Sequence, residues 1–143
     1  MISLVLLMEA TQQLYFEPCP TIPYKVVSVM DGLKAFTLQE GTNKLILQDY
    51  KAAPNQLFNV YVFNNNNQTR YALVNLTTNQ ALWIEGDSPK DGGVIKSDPG
   101  QHPSSFLEIE PVSKGDWAGK ACYLKTFCGR ALDIKGGKPN PGT

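Results

Sequence analysis

Hydrophobic and polar positions alternate along this chain in short runs, and the runs fall into sets. Tyr24-Lys25-Val26-Val27-Ser28-Val29 has the period of two of a half-buried strand. It breaks at Asp31-Gly32 and resumes as Lys34-Ala35-Phe36-Thr37-Leu38, which predicts a hairpin. After Gly41-Thr42-Asn43 the apolar run Leu45-Ile46-Leu47 predicts a third strand, and beyond a turn at Ala53-Pro54-Asn55 the stretch from Gln56 to Val62 predicts a fourth. Four short strands make one unit, spanning 24–63.

The unit recurs. Tyr71-Ala72-Leu73-Val74 leads through Thr77-Thr78-Asn79 to Gln80-Ala81-Leu82-Trp83-Ile84, and Cys122-Tyr123-Leu124-Lys125 leads through Cys128-Gly129 to Arg130-Ala131-Leu132-Asp133-Ile134. Ala35, Ala81 and Ala131 are in register, at spacings of 46 and 50 residues. A period of this size denotes repeated supersecondary units, none able to bury its apolar face alone. Residues 70–112 form a second whole unit. Residues 3–17 read as a second half without a first, because Leu4-Val5-Leu6 before Gln12-Gln13-Leu14-Tyr15 parallels Leu45-Ile46-Leu47 before Asn55-Gln56-Leu57-Phe58. Residues 120–143 read as a first half without a second. The order is half, one, one, half, so the two ends complete a third unit within one chain, pair with another copy, or belong to a segment of a longer tandem array.

Turn signals recur every 8–12 positions and no window has the helical period, which predicts an all-β barrel or sandwich. Pro18-Cys19-Pro20-Thr21-Ile22-Pro23 is a connector, since its prolines donate to no ladder. At 143 residues the chain is one domain. With 13 basic and 13 acidic side chains, scattered rather than clustered, it lacks the electrostatic footprint of a nucleic-acid binder. No stretch approaches the roughly 20 apolar residues of a membrane span. The opening Met-Ile-Ser-Leu-Val-Leu-Leu has no basic flank and ends at Glu9, and is read as a strand rather than a signal peptide. Cys19, Cys122 and Cys128 cannot all pair within the chain, which suggests reduced thiols in the cytoplasm, with secretion left open. The triplets Asn67-Gln68-Thr69 and Asn75-Leu76-Thr77 match the glycosylation pattern and are read as coincidence.

Three features together resemble the ricin-type (R-type) lectin repeat of β-trefoil domains: the Tyr-x-Leu/Val hairpin, Ala131-Leu132-Asp133-Ile134 followed by Lys135-Gly136-Gly137, and the closing signature Asn55-Gln56-Leu57-Phe58. The resemblance implies a β-trefoil of three four-strand repeats, the third assembled from the N- and C-terminal halves. It implies that Gln13 and Gln56 are structural, with Tyr15 and Phe58 packing inward. The middle unit offers Pro103-Ser104-Ser105-Phe106 there, keeping the aromatic and losing the amide, and is expected to be the least well-ordered turn.

The resemblance also implies a sugar pocket in each repeat, built from an acidic residue on the second strand, an aromatic near the end of the third and an Asn or Gln before the fourth. A carboxylate accepts hydrogen bonds from neighbouring hydroxyls while an aromatic face covers the C–H side of the ring. Carried over, the acidic position is Thr37, Trp83 and Asp133 in turn, so one repeat keeps it. Tyr50 and Asn55 supply aromatic and amide in the first repeat, and Gln12 joins Asp133 and Lys135 in the third. Each residue has a plainer reading: Asp133 solvated or paired with Lys135, Tyr50 an ordinary surface ring, Trp83 part of the core or an interface, His102 a solvated loop residue. One histidine and three dispersed cysteines give no metal-ligand spacing and no ready nucleophile pair. The expected function is therefore binding of terminal galactose- or N-acetylgalactosamine-type glycans without cofactor or catalysis. The partners would be glycans or glycoproteins, and the chain a monomer or a strand-exchanged homodimer. The alternative is a trefoil that has lost sugar binding and serves as a protein-interaction or protease-inhibitor scaffold.

Overall fold

The computed structural model describes residues 5–9, 23–28, 34–65, 67–87, 94–100, 102–116, 118 and 121–126. Ten strands run through them: β1 (Val5–Glu9), β2 (Tyr24–Ser28), β3 (Ala35–Leu38), β4 (Leu45–Gln48), β5 (Phe58–Asn65), β6 (Gln68–Asn75), β7 (Ala81–Ile84), β8 (Ile95–Asp98), β9 (Glu108–Pro111) and β10 (Cys122–Lys125). Six of them, β1, β2, β5, β6, β9 and β10, follow one another round a ring of antiparallel neighbours. The link between β6 and β9 is a single bridge, in which Tyr71 N donates to Leu107 O at 2.8 Å and Leu107 N to Tyr71 O at 2.7 Å. Hairpins β3–β4 and β7–β8 stand on one end and touch through the Lys44–Lys96 bridge. This is β-trefoil architecture, a barrel capped by hairpins.

The repeats are visible in the register. Tyr24 opposes Phe58, Tyr71 opposes Leu107, and Cys122 opposes Val5. Along the next ladder Phe58 faces Asn75 and Val5 faces Ser28. Tyr24, Val26, Phe58, Val60, Leu73, Leu107, Cys122 and Leu124 fill the barrel, and Phe36, Leu38, Leu47 and Leu82 from the hairpins close its end. Ser28, Asn75 and Thr126 hold corresponding places at the ends of the three first strands and are all buried. The Asn75 amide, the acceptor of one glycosylation triplet, is committed there: its Nδ2 donates to Asn55 O at 3.1 Å and its Oδ1 accepts from Thr77 N at 2.9 Å. Burial pushes the Cys122 thiol up to about 12, so it stays protonated and unreactive at neutral pH.

Two sequence parallels need correction. Val5 lies opposite Cys122 and Ser28 as Phe58 lies opposite Tyr24 and Asn75, which matches Val5–Glu9 to the closing strand rather than to Leu45-Ile46-Leu47. A short apolar run satisfies the pattern of either strand, and only pairing separates them. Gln12, Gln13, Leu14 and Tyr15 thus follow this strand instead of preceding it, and lie outside the described residues. In the middle unit the match shifts by one residue. The 3-10 turns Pro54–Gln56 and Pro103–Ser105 superpose in role, which sets Asn55 against Ser104 and Gln56 against Ser105. Leu107 then takes the place of Phe58, and Phe106 instead packs edge-on against Phe63 with ring centroids 5.1 Å apart.

The shift explains how each turn is held. Gln56 is buried and its amide ties three segments: Oε1 accepts from Lys51 N at 2.8 Å, while Nε2 donates to Asp49 O at 2.8 Å and Thr37 Oγ1 at 3.0 Å. Ser105 is too short to reach so far, and among the described residues its Oγ is the buried side-chain polar atom without a partner. The middle turn is held instead by Ser104, whose Oγ accepts from Ile84 N at 2.9 Å and donates to Ile84 O at 3.3 Å, much as Asn55 Nδ2 donates to Leu38 O at 3.0 Å. Unequal consequences follow for unfolding in denaturant. Gln56→Ala removes the buried side-chain amide that ties the Lys51 N–H, the Asp49 carbonyl and the Thr37 hydroxyl together and is expected to lower stability by about 2–4 kcal/mol, whereas Ser105→Ala removes an unsatisfied hydroxyl and leaves stability unchanged or raises it by up to about 1 kcal/mol. Equal losses for both would contradict these assignments.

Candidate functional site

In the first unit the residues suggested by sequence do not assemble an open pocket. Thr37 is buried at 2% exposure, donates to Ala35 O at 3.1 Å and accepts from Gln56, so its hydroxyl belongs to the turn. Tyr50 is half-buried, with Lys25 Nζ 4.5 Å from its ring centroid. That contact is a cation–π pair in which the lysine stem is itself buried. Asn55 Nδ2 donates to Leu38 O, and the Asn55 main-chain carbonyl accepts from Asn75 Nδ2. Asp133, Lys135 and Gln12 lie outside the described residues.

The middle unit is arranged differently at equivalent backbone positions. Trp83 stands opposite Lys96 as Thr37 stands opposite Ile46, yet it is half-buried where Thr37 is fully covered. His102, reached through the turn that follows β8, stacks on the indole with centroids 3.8 Å apart and planes 21° from parallel. The imidazole Nε2 lies 2.7 Å from Asp98 Oδ2. An ionised carboxylate only accepts, so the Nε2–H is the donor in this pair. Gly100 N donates to the same Oδ2 at 2.9 Å. Lys96 on the neighbouring strand position is ion-paired with Glu85. A small cleft beside the ring is lined by Leu82, Trp83, Ile84, Ile95, Ser104 and Leu107.

Local sequence dictates this geometry. Asp98-Pro99-Gly100 turns the chain at the end of β8, and Pro103 starts the 3-10 turn that holds His102 extended at φ −121. A Cβ on Gly100 would lie 3.0 Å from both Asp98 Oδ2 and His102 Nε2, so the carboxylate and imidazole meet over a position that has no room for a side chain. The His102 hydrogen bond, and after it the Gly100 amide, hold the Asp98 carboxyl below the usual carboxylate range. Asp98 therefore remains a pure acceptor through ordinary acidity. Sequence reasoning missed Asp98 because it looked for an acid on the second strand, and read His102 as a solvated loop residue. The signal present was the Asp98-Pro99-Gly100-Gln101-His102 spacing, a turn that folds its fifth residue back on its first.

No protein-family model matches the sequence, and no curated protein matches it. Among solved structures the chain is similar to a designed threefold-symmetric protein, ThreeFoil, with a TM-score of 0.70 over 85% of this chain and 84% of that one, at 22% identity. At that identity the likeness concerns the fold: the chain is an all-β protein of β-trefoil architecture.

A carboxyl whose folded-state pKa is depressed stabilises the fold above its unfolded value, near 3.9, and loses that contribution as pH falls through the folded value. Wild type is thus expected to exceed Asp98→Asn in melting temperature at pH 5, with the gap closing as pH is lowered to about 2. Gly100→Ala, which wedges the pair apart, should narrow the gap at pH 5 in the same way. A gap that persists unchanged into acid would mean that the Asp98 charge contributes nothing.

Proposed function

We propose that the chain is a carbohydrate-binding module of the lectin kind, taking terminal galactose- or N-acetylgalactosamine-type glycans and performing no catalysis. The observation that carries the reading is the contrast at the middle of each hairpin's first strand. Thr37 is sealed into its own turn, whereas Trp83 at the equivalent register is a half-buried aromatic residue that reaches the surface in part. The ricin-type resemblance assigns this position to the ligand, and by sequence Asp133 is its counterpart in the third unit, with Lys135 and Gln12 as neighbours. The accessible part of a half-buried indole offers an apolar surface for a sugar ring, and a carboxylate at the same place offers a paired acceptor.

The third unit is read as assembled within one chain, because β1 lies against both β2 and β10. The working form is then a monomer in the cytoplasm, and a strand-exchanged homodimer is the competing form that light scattering distinguishes. A single shallow site would bind near the millimolar range, about −4 kcal/mol, so retention on a surface depends on more than one site per particle. A second reading, a protein-interaction or protease-inhibitor scaffold, is favoured by one feature: the β5–β6 hairpin leaves Tyr61, Val62 and Phe63 each about two-fifths exposed.

Glycan-array screening of the labelled protein tests the proposal. Galactose-terminated glycans are expected to retain it, and Asp133→Ala to lower that retention at least tenfold, as loss of one site from a multivalent display would. Silence across the array from folded, multivalently displayed protein would overturn the lectin reading and leave the exposed hairpin as the surface to test against protein partners.

A further inference from the structure

Repeat architecture supplies an internal control. The first unit folds the same strand pair, the same 3-10 turn and the same barrel bridge as the middle unit, with Gln48 at the place of Asp98 and Ala53 before its turn at the place of His102. The cluster of Trp83, Asp98 and His102 is therefore not something the hairpin needs in order to form. It departs from the other unit at three positions together, and it places an indole, an imidazole and a carboxylate in mutual contact at a partly open surface. The side chains of Asp98 and His102 retain 35% and 26% of their exposure.

We propose that this cluster is a saccharide-binding site of the middle unit, in which Asp98 from β8 supplies the carboxylate that the second strand lacks. The proposal rests on the carbohydrate-binding reading above and adds a site to it. Among the described residues, the hydrogen bonds to the Asp98 side chain end on Oδ2, from His102 Nε2 and from Gly100 N. Oδ1 of a 35%-exposed carboxylate is left to accept from ligand hydroxyls. A charged acceptor makes the stronger kind of hydrogen bond to such hydroxyls. The stacked pair of Trp83 and His102 forms a rigid apolar edge beside it, against which the C–H face of a pyranose packs. His102 thus has two tasks: it extends the aromatic platform and it fixes the carboxylate rotamer through Nε2. The Asp98 carboxylate itself repels an anionic sugar, and among the described residues Lys96, opposite Trp83, is engaged by Glu85. The ligand class is a neutral pyranoside with adjacent hydroxyls.

The test uses the full chain carrying Asp133→Ala, from which the other proposed site has been removed, titrated with methyl galactoside and with N-acetylgalactosamine. Binding is read from Trp83 fluorescence, and Trp117→Phe serves as the background that isolates that ring. Saturable quenching or enhancement is expected, weakened at least tenfold by Asp98→Ala and by His102→Ala, while His102→Gln, which keeps a donor, recovers part of the loss. Far-ultraviolet circular dichroism and thermal melts establish that each variant is folded. Should Trp117→Phe fail to fold, the same titrations are read by heteronuclear NMR shifts of the indole N–H groups. If the glycan array is positive and sensitive to Asp133 but the Trp83 signal is flat, or if folded Asp98→Ala binds as tightly as its parent, this site is overturned and the lectin reading stands. If no sugar is retained by any form of the protein, both fall together. Tighter binding of sialylated or uronic-acid probes than of neutral ones would overturn the ligand class.

Discussion

Closure of the barrel is the constraint on which everything else here depends. No unit of four short strands can bury its own apolar face, so each is stable only when the first strand of one unit finds the fourth strand of another. Three ladders accomplish this, β5 with β6, β9 with β10 and β1 with β2, while inside each unit Tyr24 lies opposite Phe58, Tyr71 opposite Leu107 and Cys122 opposite Val5. The bulky pairs among them sit at 0–3% exposure except for the half-exposed Tyr71, and the remaining core of Val26, Val60, Leu73 and Leu124 is packed within the ring they define. Once the ring is set, the hairpins have one place to go, over its end, where Phe36, Leu38, Leu47 and Leu82 complete the apolar interior.

Within that frame the two whole units solve the same local problem with different chemistry. The connector before each fourth strand must turn sharply while its backbone polar groups stay satisfied. In one unit a long amide, Gln56, reaches across to Thr37, Asp49 and Lys51. In the other a short hydroxyl, Ser104, holds Ile84 from close by, and the Ser105 hydroxyl has no partner among the described residues. The exchange has a geometric side. Where Gln56 is long, the facing second-strand residue is the small, buried Thr37. Where Ser105 is short, the corresponding residue is the large, half-buried Trp83. Loss of the amide-to-hydroxyl bond and arrival of an outward aromatic ring occur at the same pair of positions, so the middle hairpin departs from structural economy where a platform appears.

The Trp83, His102 and Asp98 cluster shows how a turn converts scattered residues into a surface. Asp98 and His102 are four apart in the chain, and Gly100 between them has no side chain to keep them separate. The imidazole is pinned on two sides, by the indole at 3.8 Å and by the carboxylate at 2.7 Å. Such double anchorage removes rotamer freedom before any ligand arrives, which lowers the ordering cost of binding.

The sequence by itself determined the β-class, the repeat of about 46–50 residues and the strand content of the two whole units, because alternation and turn residues are local properties that survive without knowledge of partners. Ala35 and Ala81 indeed begin corresponding strands, and Tyr24 and Tyr71 occupy corresponding barrel positions. Tertiary structure decided what alternation cannot encode, namely which strand pairs with which. Leu4-Val5-Leu6 fits two strand templates equally and is resolved only by Val5 lying against Ser28 and Cys122. Phe106 and Leu107 are adjacent apolar residues, and only the bridge to Tyr71 selects the second for the core. The meeting of Asp98 and His102 beside Trp83 was likewise invisible in one dimension, because it depends on the β7–β8 pairing that sets Trp83 opposite Lys96 and on a turn that folds back over a glycine. Pairing is a long-range interaction whose partners are chosen by the closed ring as a whole, and no window of the chain contains that choice.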